Sequence, residues 1–167
     1  MKTPLCNACC ATATLCAGCA EKLAAKELSD ADVTLSRALH ARTLAGEFPA
    51  NSGFEKTITV DSGNLVIVFT DSPAALIGKS GRTVAALSKE LGKRMKIIDS
   101  NADEAEKIRE LLLPAQLKGV NTLYKREGKE FKVRVARADA QRLPLEAQTL
   151  AGVLKQVLGA NASISLE

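Results

Sequence analysis

An α+β fold is predicted for this chain, with two units of the same element order behind a small cysteine-rich segment. Three observations lead to this prediction. All five cysteines lie between Cys6 and Cys19. Apolar residues at helical and strand spacing then follow the order helix, strand, strand, helix, helix, strand over residues 28–99. The same order returns over residues 102–166, so the chain is predicted to contain one architecture twice.

Length and composition fit a folded protein with a core of its own. The chain has 167 residues, of which 46% are hydrophobic, enough for one medium domain or two small ones. Its longest apolar runs, such as residues 65–69, are too short to span a bilayer, and its first residues lack the apolar stretch of a secretory signal. We therefore expect a cytoplasmic protein with no membrane partner.

The N-terminal segment, residues 1–24, carries two C-x2-C pairs separated by six residues. Four thiolates at this spacing, from Cys6, Cys9, Cys16 and Cys19, can surround one ion tetrahedrally, and Zn²⁺ is the usual occupant. Cys10 is left spare, although a Cys6/Cys10 pair is also geometrically possible. Gly18 fits the tight bend of a zinc knuckle, and a helix can begin directly after it, at residue 20.

Two other uses of the cysteines remain open at this stage. A redox-active pair normally follows a strand in a βαβ pattern, whereas this segment has two pairs and no preceding strand. An iron–sulfur cluster is compatible with the spacing. One Zn²⁺ with four thiolates would carry a formal −2 and lower the chain's net charge of +4 to about +2, so we expect a structural or protein-contacting cap.

The first repeat of the pattern occupies residues 25–100. Ser29, followed three residues later by Asp32, predicts a helix that begins near Ser29 and ends at Gly46. The only histidine, His40, lies inside that helix, where a surface or satisfied polar role is expected rather than metal binding. Strands are predicted over the following three ranges: residues 54–60, 65–70 and 94–99.

Between the second and third of these strands lies the sequence Gly78-Lys79-Ser80-Gly81, here called the GKSG turn. An apolar run leads into it and a helical pattern leads out, which predicts helix, tight turn, helix. Glycines permit a close backbone approach, and the free N–H groups at the start of the next helix favour an anion. The surrounding residues 74–96 hold six basic side chains and one acid: Lys79, Arg82, Lys89, Lys93, Arg94, Lys96 and Glu90.

The second repeat occupies residues 101–167 and lacks this turn. Helices are predicted over residues 102–113 and 145–158, and strands over 117–125, 130–136 and 162–166. The tetrapeptide from Gln141 to Pro144 stands where the glycine-rich turn would be, and Pro144 prevents the same backbone approach. Basic residues on the strands predict either an extension of a nucleic-acid track or an ordinary solvated face.

The octapeptide I-G-K-S-G-R-T-V resembles the GXXG signature of the KH domain, and the element order αββααβ resembles its type II, prokaryotic form. Two such units in tandem resemble the RNA-binding part of the transcription factor NusA, especially its short archaeal relatives. The resemblance implies that Gly78, Lys79, Ser80 and Gly81 clamp the backbone of about four nucleotides. It also implies an apolar floor of Ile77 and Val84 and a phosphate contact from Arg82. The cysteine segment departs from the usual two-KH pattern.

These observations predict a non-catalytic protein that binds single-stranded RNA and acts in transcription elongation or termination beside RNA polymerase. The alternative is a ribosome-associated or RNA-processing accessory factor whose zinc module docks on a protein. Enzyme activity is not expected, because the sequence has no His/carboxylate cluster, nucleophile elbow or Walker loop. Four Phe, one Tyr and no Trp argue against extensive base stacking.

Overall fold

The structure is a computed structural model that describes all residues from 1 to 167, and it is α+β as predicted. Contacts within the chain define two compact units, Met1–Asn101 (unit 1) and Ala102–Glu167 (unit 2). Unit 1 contains α1 (Asn7–Ala11), α2 (Ala17–Ala24), α3 (Asp30–Leu44), β1 (Lys56–Val60), β2 (Leu65–Thr70), α4 (Pro73–Ile77), α5 (Arg82–Leu91) and β3 (Arg94–Asp99). Unit 2 contains α6 (Glu104–Leu112), β4 (Leu117–Lys125), β5 (Gly128–Val135), α7 (Ala147–Leu158) and β6 (Asn161–Leu166).

The sheet of unit 1 has the order β1-β2-β3, with β1 antiparallel and β3 parallel to the central strand β2. All six residues of β2 are buried, as expected for a strand that is apolar along its whole length. The strands predicted at residues 65–70 and 94–99 are confirmed at both ends. The first strand begins at Lys56 rather than at residue 54, because the backbone of Phe54 donates to the Lys2 carbonyl, 2.8 Å away.

Helix α3 anchors the core of unit 1. Its N-cap, Ser29, forms the predicted capping box with Asp32, and the second oxygen of Asp32 accepts a hydrogen bond from the Thr57 hydroxyl at 2.7 Å. This buried carboxylate therefore has partners on both sides and ties the helix to β1. The core cluster consists of the following side chains: Leu35, Leu39, Phe48, Phe54, Val66, Val68, Leu76 and Leu87.

Unit 2 has the same sheet topology, with the order β4-β5-β6, an antiparallel first pair and a parallel second pair. The position of α4 is taken here by a 3₁₀ helix, Arg137–Arg142. The backbone then stays extended, so α7 begins at Ala147 and not at the predicted residue 145. Strand β5 begins at Gly128, two residues earlier than predicted, because Gly128 pairs with Lys125 across the hairpin.

None of the seven helices combines the length and the apolar character that crossing a membrane would require.

Candidate functional site

The four cysteines of the two C-x2-C pairs meet at one point of unit 1. The sulfur atoms of Cys6, Cys9, Cys16 and Cys19 all lie within 4.8 Å of one another, and the Cys6 and Cys16 Sγ atoms are 3.9 Å apart. Thiolates bound tetrahedrally to one ion at about 2.3 Å would be about 3.8 Å apart, so this donor set fits a single ion. All five cysteines are free thiols.

Each pair is presented by the N-terminus of a short helix. Cys6 is the N-cap of α1 and Cys16 is the N-cap of α2, so backbone N–H groups of the first helical turn face the sulfurs. The Cys16 N–H itself donates to the Cys9 Sγ at 3.1 Å. The expectation of a tight bend at Gly18 is wrong, because Gly18 lies inside α2, which begins at Ala17 rather than after the second pair.

Ionisation of the thiols is unequal. The Cys9 backbone N–H lowers the pKa of Cys6, and the Cys19 backbone N–H lowers the pKa of Cys16 to about 7. The Cys16 N–H acts in the same sense on Cys9, but burial and hydrogen bonds with the other thiols raise the pKa of Cys9 to about 12. The pKa of Cys19 is also raised: the Cys6 backbone contact lowers it, but burial together with hydrogen bonds to the Cys16 and Cys6 thiols outweighs that contact. Four thiolates at these distances repel one another unless a cation neutralises them.

Cys10 lies outside the group of four, as expected. Its sulfur is near the Thr3 hydroxyl and the Leu5 carbonyl, at 3.7 and 3.9 Å, and its side chain is buried. Together with Cys9, Cys19, Leu5, Leu28 and Val33, it forms a small apolar cluster between the cysteine segment and α3. Cys10 thus has a packing role in this structure.

Arg37 of α3 ties the cysteine segment to the rest of unit 1, and no sequence pattern indicates this contact. Its guanidinium donates to the carbonyl oxygens of Cys9 and Ala13, at 3.2 and 3.0 Å. The contact joins residues 28 positions apart along the chain, and no local spacing pattern reports a side chain that reaches a distant backbone.

The GKSG turn has the backbone of a sharp helix-to-helix connection. Gly78 ends α4 with φ 74° and ψ 176°, a conformation that essentially only glycine adopts, and Gly81 precedes α5 with φ 72°. A Cβ at Gly78 would also clash with the Thr83 side chain, 2.7 Å from its Cβ. Ser80 has a left-handed conformation too, at φ 57°. Position 78 therefore requires glycine for two reasons, its backbone conformation and its close packing against Thr83.

The side chains expected to bind RNA lie together around this turn. Lys79, Ser80 and Arg82 are exposed, and neither basic residue forms an ion pair within the chain. Ile77 is 41% exposed although it is a large aliphatic residue, and Val84 is half-buried in the first turn of α5. The turn thus offers two unpaired cations and an exposed apolar side chain at the start of a helix, whose first N–H, that of Arg82, donates to the Lys79 carbonyl.

The corresponding loop of unit 2 differs in each of these respects. No residue between 136 and 147 has a positive φ. Arg142 pairs with Asp139 at 3.5 Å, and both Leu143 and Pro144 are half-buried. This loop presents neither a glycine-lined backbone nor an unpaired cation next to the start of α7.

A cavity of about 700 Å³ lies elsewhere in unit 1, beside the start of α3 and the end of α5. Its charged lining consists of two basic and three acidic side chains, Lys26, Lys93, Asp30, Asp61 and Glu90, and Lys93 is already paired with Asp61 at 3.3 Å. A site with this balance of charge does not favour an anionic ligand.

Comparison with models of protein families yields no match, and comparison with curated proteins yields none either. Among solved structures, a similar fold occurs in one described as "Crystal structure of APE1850", with a TM-score of 0.56 and 17% sequence identity. The similarity covers 77% of this chain and 96% of that chain. At this identity the similarity establishes a shared fold and carries no functional statement.

Proposed function

We propose that this chain is a non-catalytic protein that binds single-stranded RNA at the GKSG turn and is stabilised by one structural Zn²⁺ ion. The observation that carries the RNA proposal is the turn itself. Two half-buried glycines at positive φ flank the exposed Lys79 and Ser80, and the turn places two unpaired cations, Lys79 and Arg82, at the start of α5. Such an arrangement suits a phosphate chain that must approach closely.

The KH resemblance is supported by the surroundings of the turn. Unit 1 runs α3-β1-β2-α4-α5-β3, the order αββααβ, and its three strands form one sheet. Bases bound in such a groove lie over aliphatic side chains, a role for which the exposed Ile77 and the half-buried Val84 are suited. Unit 2 has the same order of strands, so a tandem of two KH-like units, only one with a competent turn, is the architecture we propose.

The metal proposal rests on donor chemistry and spacing. Cys6, Cys9, Cys16 and Cys19 would hold the ion, which would supply the positive charge that four close thiolates need. An iron–sulfur cluster is disfavoured because its own atoms would separate the thiolates beyond the distances observed here. We expect about one zinc per chain in metal analysis of protein purified without oxygen. Iron in place of zinc, or no metal at all, would contradict this proposal.

In its cellular role we propose a NusA-like factor of transcription elongation or termination, located in the cytoplasm, where free thiols persist. The alternative is a ribosome-associated or RNA-processing factor, and the observation in its favour is the cysteine segment, which the tandem KH pattern lacks. Capture with the tagged, metal-loaded protein separates them: RNA polymerase supports the first role, and ribosomal subunits support the second. Turnover of RNA by the pure protein would overturn the non-catalytic assignment.

The experiment that tests RNA binding replaces Lys79 and Ser80 by Asp and measures the affinity for short single-stranded RNA at two salt concentrations. Wild type should show a salt slope of roughly −0.7 per phosphate contacted, and the variant should lose most of its affinity because two carboxylates would face the phosphates.

A matched control comes from the loop of unit 2. Gln141→Asp with Arg142→Asp makes the same change in net charge at two exposed positions. If this control weakens binding as much as the GKSG variant does, the effect is general electrostatics and the GKSG turn is not the site.

A further inference from the structure

The hairpin of unit 2 extends into solvent at its far end. In β4 every residue from Asn121 to Lys125 is exposed, and in β5 Gly128 and Lys129 are exposed as well. Alternate residues of a strand point to opposite faces, so consecutive exposed residues mean that both faces of the hairpin are open here. We call residues 121–130 the β4–β5 ribbon.

The ribbon carries an aromatic ring, that of Tyr124, which is not packed into the core. Tyr124 is 78% exposed, whereas all four phenylalanines of the chain are at most 4% exposed. The strand register pairs Tyr124 with Lys129 and Thr122 with Phe131, so Tyr124 shares a face with the buried Phe131 but lies beyond the end of the core. Leu123, on the opposite face, is also 44% exposed.

The hairpin that carries the ribbon is a centre of positive charge, and the ribbon itself holds three basic and two acidic residues. Residues 118–134 carry six basic and two acidic side chains, a net +4 that equals the formal charge of the whole chain. Outside this segment and residues 74–96, the chain has 11 basic and 16 acidic residues, so the net positive charge comes from these two segments. Glu130 forms an ion pair with Lys125. Neither Arg126 nor Lys132 forms an ion pair within the chain.

Lys129 connects the ring and the charge. Its ammonium group lies over the Tyr124 ring, 5.9 Å from the centroid, at the outer limit of a cation–π contact. With 78% of the residue exposed, most of the ring surface remains open to a second flat partner. A nucleotide can stack its base on the ring and pair its phosphate with the nearby cations. An acidic peptide would pair with the cations but would not stack on the ring.

From these observations we propose that the β4–β5 ribbon binds single-stranded nucleic acid, with a base stacked on Tyr124 and phosphates neutralised by Lys129 on the same face and by Arg126 in the turn. This site is additional to the GKSG turn and does not depend on it. It gives unit 2 a nucleic-acid contact even though its own loop has no glycines.

The composition of the chain provides a direct measurement. Tyr124 is the only tyrosine and the chain has no tryptophan, so the intrinsic tyrosine fluorescence of the full-length protein comes from the ribbon alone. The probe is an oligouridylate of about eight nucleotides, titrated at low salt into wild type and into Lys79→Asp/Ser80→Asp. Free N-acetyltyrosinamide in parallel corrects for light absorbed by the RNA. We expect saturable quenching in both proteins, and its absence in both would overturn the proposal.

Substitutions at the ring separate stacking from charge. In the Lys79→Asp/Ser80→Asp background, Tyr124→Ser should weaken binding of a labelled oligouridylate at least about fivefold, whereas Tyr124→Phe should stay within about twofold of its parent. Such an exposed side chain can be changed without disturbing the core. Equal affinity of the Ser and Phe variants would overturn the stacking contact.

Two further arms complete the test. Arg126→Ser should reduce the magnitude of the salt slope by about 0.7, the value for one phosphate contact on a single strand. A polyglutamate peptide should neither quench Tyr124 nor displace the RNA; if it does both, the ribbon is a surface for acidic proteins and the proposal falls. Loss of binding in Lys79→Asp/Ser80→Asp with no effect of Tyr124→Ser would leave the GKSG site standing and overturn only the ribbon.

Discussion

Units 1 and 2 have the same order of strands and the same sheet topology, yet they differ where a phosphate chain would approach. Unit 1 places Gly78 and Gly81 at positive φ between two α-helices. Unit 2 has a 3₁₀ helix there, followed by the extended Leu143 and the half-buried Pro144. The pattern of apolar residues therefore suffices to fix the architecture, while two glycines decide whether the connecting turn can approach another backbone.

The two units also carry their positive charge on different elements. In unit 1 the unpaired cations Lys79 and Arg82 flank the turn, whereas in unit 2 Arg126 and Lys132 lie on or next to the hairpin ribbon. One scaffold can thus present cations from a helix start or from a strand pair. The proposals for the two units are independent because they rest on different elements.

Removal of the metal should produce the largest difference in stability between the two units. Only unit 1 contains the four thiols, and chelation should leave thiolates that repel one another beside the buried cluster of Leu5, Leu28 and Val33. We expect unit 1 to lose at least about 4 kcal/mol of unfolding free energy, which corresponds to a metal present at a thousandfold excess over its Kd. Hydrogen exchange resolved by peptide is the measurement.

In that experiment, exchange should accelerate in α1, α2 and the first turns of α3 and stay unchanged in β4–β6. The variant Cys10→Ala is the control, because Cys10 is outside the group of four and should keep the metal content of wild type. Equal acceleration in both units would mean that the metal acts on the whole chain and not on unit 1.

The second test concerns the glycines. Gly78→Ala should cost about 3 kcal/mol, because its φ of 74° with ψ 176° excludes other residues and its Cβ would clash with Thr83. Gly92→Ala is the matched control in the same unit: its φ is 66°, and nothing lies within 4 Å of its Cβ, so about 1 kcal/mol is expected. Denaturant unfolding measures both, and equal costs would contradict the packing argument at Gly78.

The affinity for single-stranded RNA should also fall more in Gly78→Ala than in Gly92→Ala. Gly78→Ala changes the backbone that would face the phosphates, whereas Gly92 follows the other end of α5. A folded Gly78→Ala protein with wild-type affinity for single-stranded RNA would show that the backbone of the turn is not the clamp.

Much of this comparison was accessible from the sequence. The strands at residues 65–70, 94–99 and 117–125 and the capping box at Ser29 have local signals, namely apolar periodicity and a paired Ser and Asp, and all are confirmed. The four cysteines could be selected over Cys10 because equal C-x2-C spacing makes two equivalent pairs, and these four meet in the structure.

What sequence reasoning missed depends on contacts between distant residues or on competition between local conformations. The first strand is shorter than predicted because the Phe54 N–H donates to the carbonyl of Lys2, 52 positions away. Gly18 was expected in a bend, but N–H groups at a helix start satisfy the thiols equally well, and α2 therefore begins before it. Tyr124 could not be recognised as exposed, because alternation alone assigns it to the buried face that Phe131 shares.

The helix caps provide a smaller test of the two units. Ser29 caps α3 with a full capping box, whereas the N-cap of α7, Glu146, makes no side-chain cap hydrogen bond. Ser29→Ala should therefore destabilise the protein by about 1 kcal/mol, and Glu146→Ser should stabilise it by about 0.5 kcal/mol. Thermal unfolding of the two single variants measures both effects, and stabilisation by Ser29→Ala would refute the role of the capping box.

The smallest effect expected is a pH dependence that belongs to unit 1 alone. The Lys2 ammonium donates to Asp71 at 2.8 Å, and this hydrogen bond lowers the pKa of Asp71 and raises the pKa of Lys2. The carboxylate contribution to stability is complete above the unfolded-state pKa of about 3.9 and is lost as the pH falls through the lowered folded value. The ammonium contribution is complete below about 10.4 and is lost as the pH rises through the raised folded value.

The difference in unfolding free energy between wild type and Asp71→Asn should therefore be constant in the middle of the pH range and vanish at both ends. Because Lys2 is largely exposed, salt should reduce this difference further. Exchange rates in β4–β6 should be the same in both proteins at every pH. A difference that persists below the lowered pKa of Asp71 would mean that the Asn side chain acts through packing rather than through the lost ion pair.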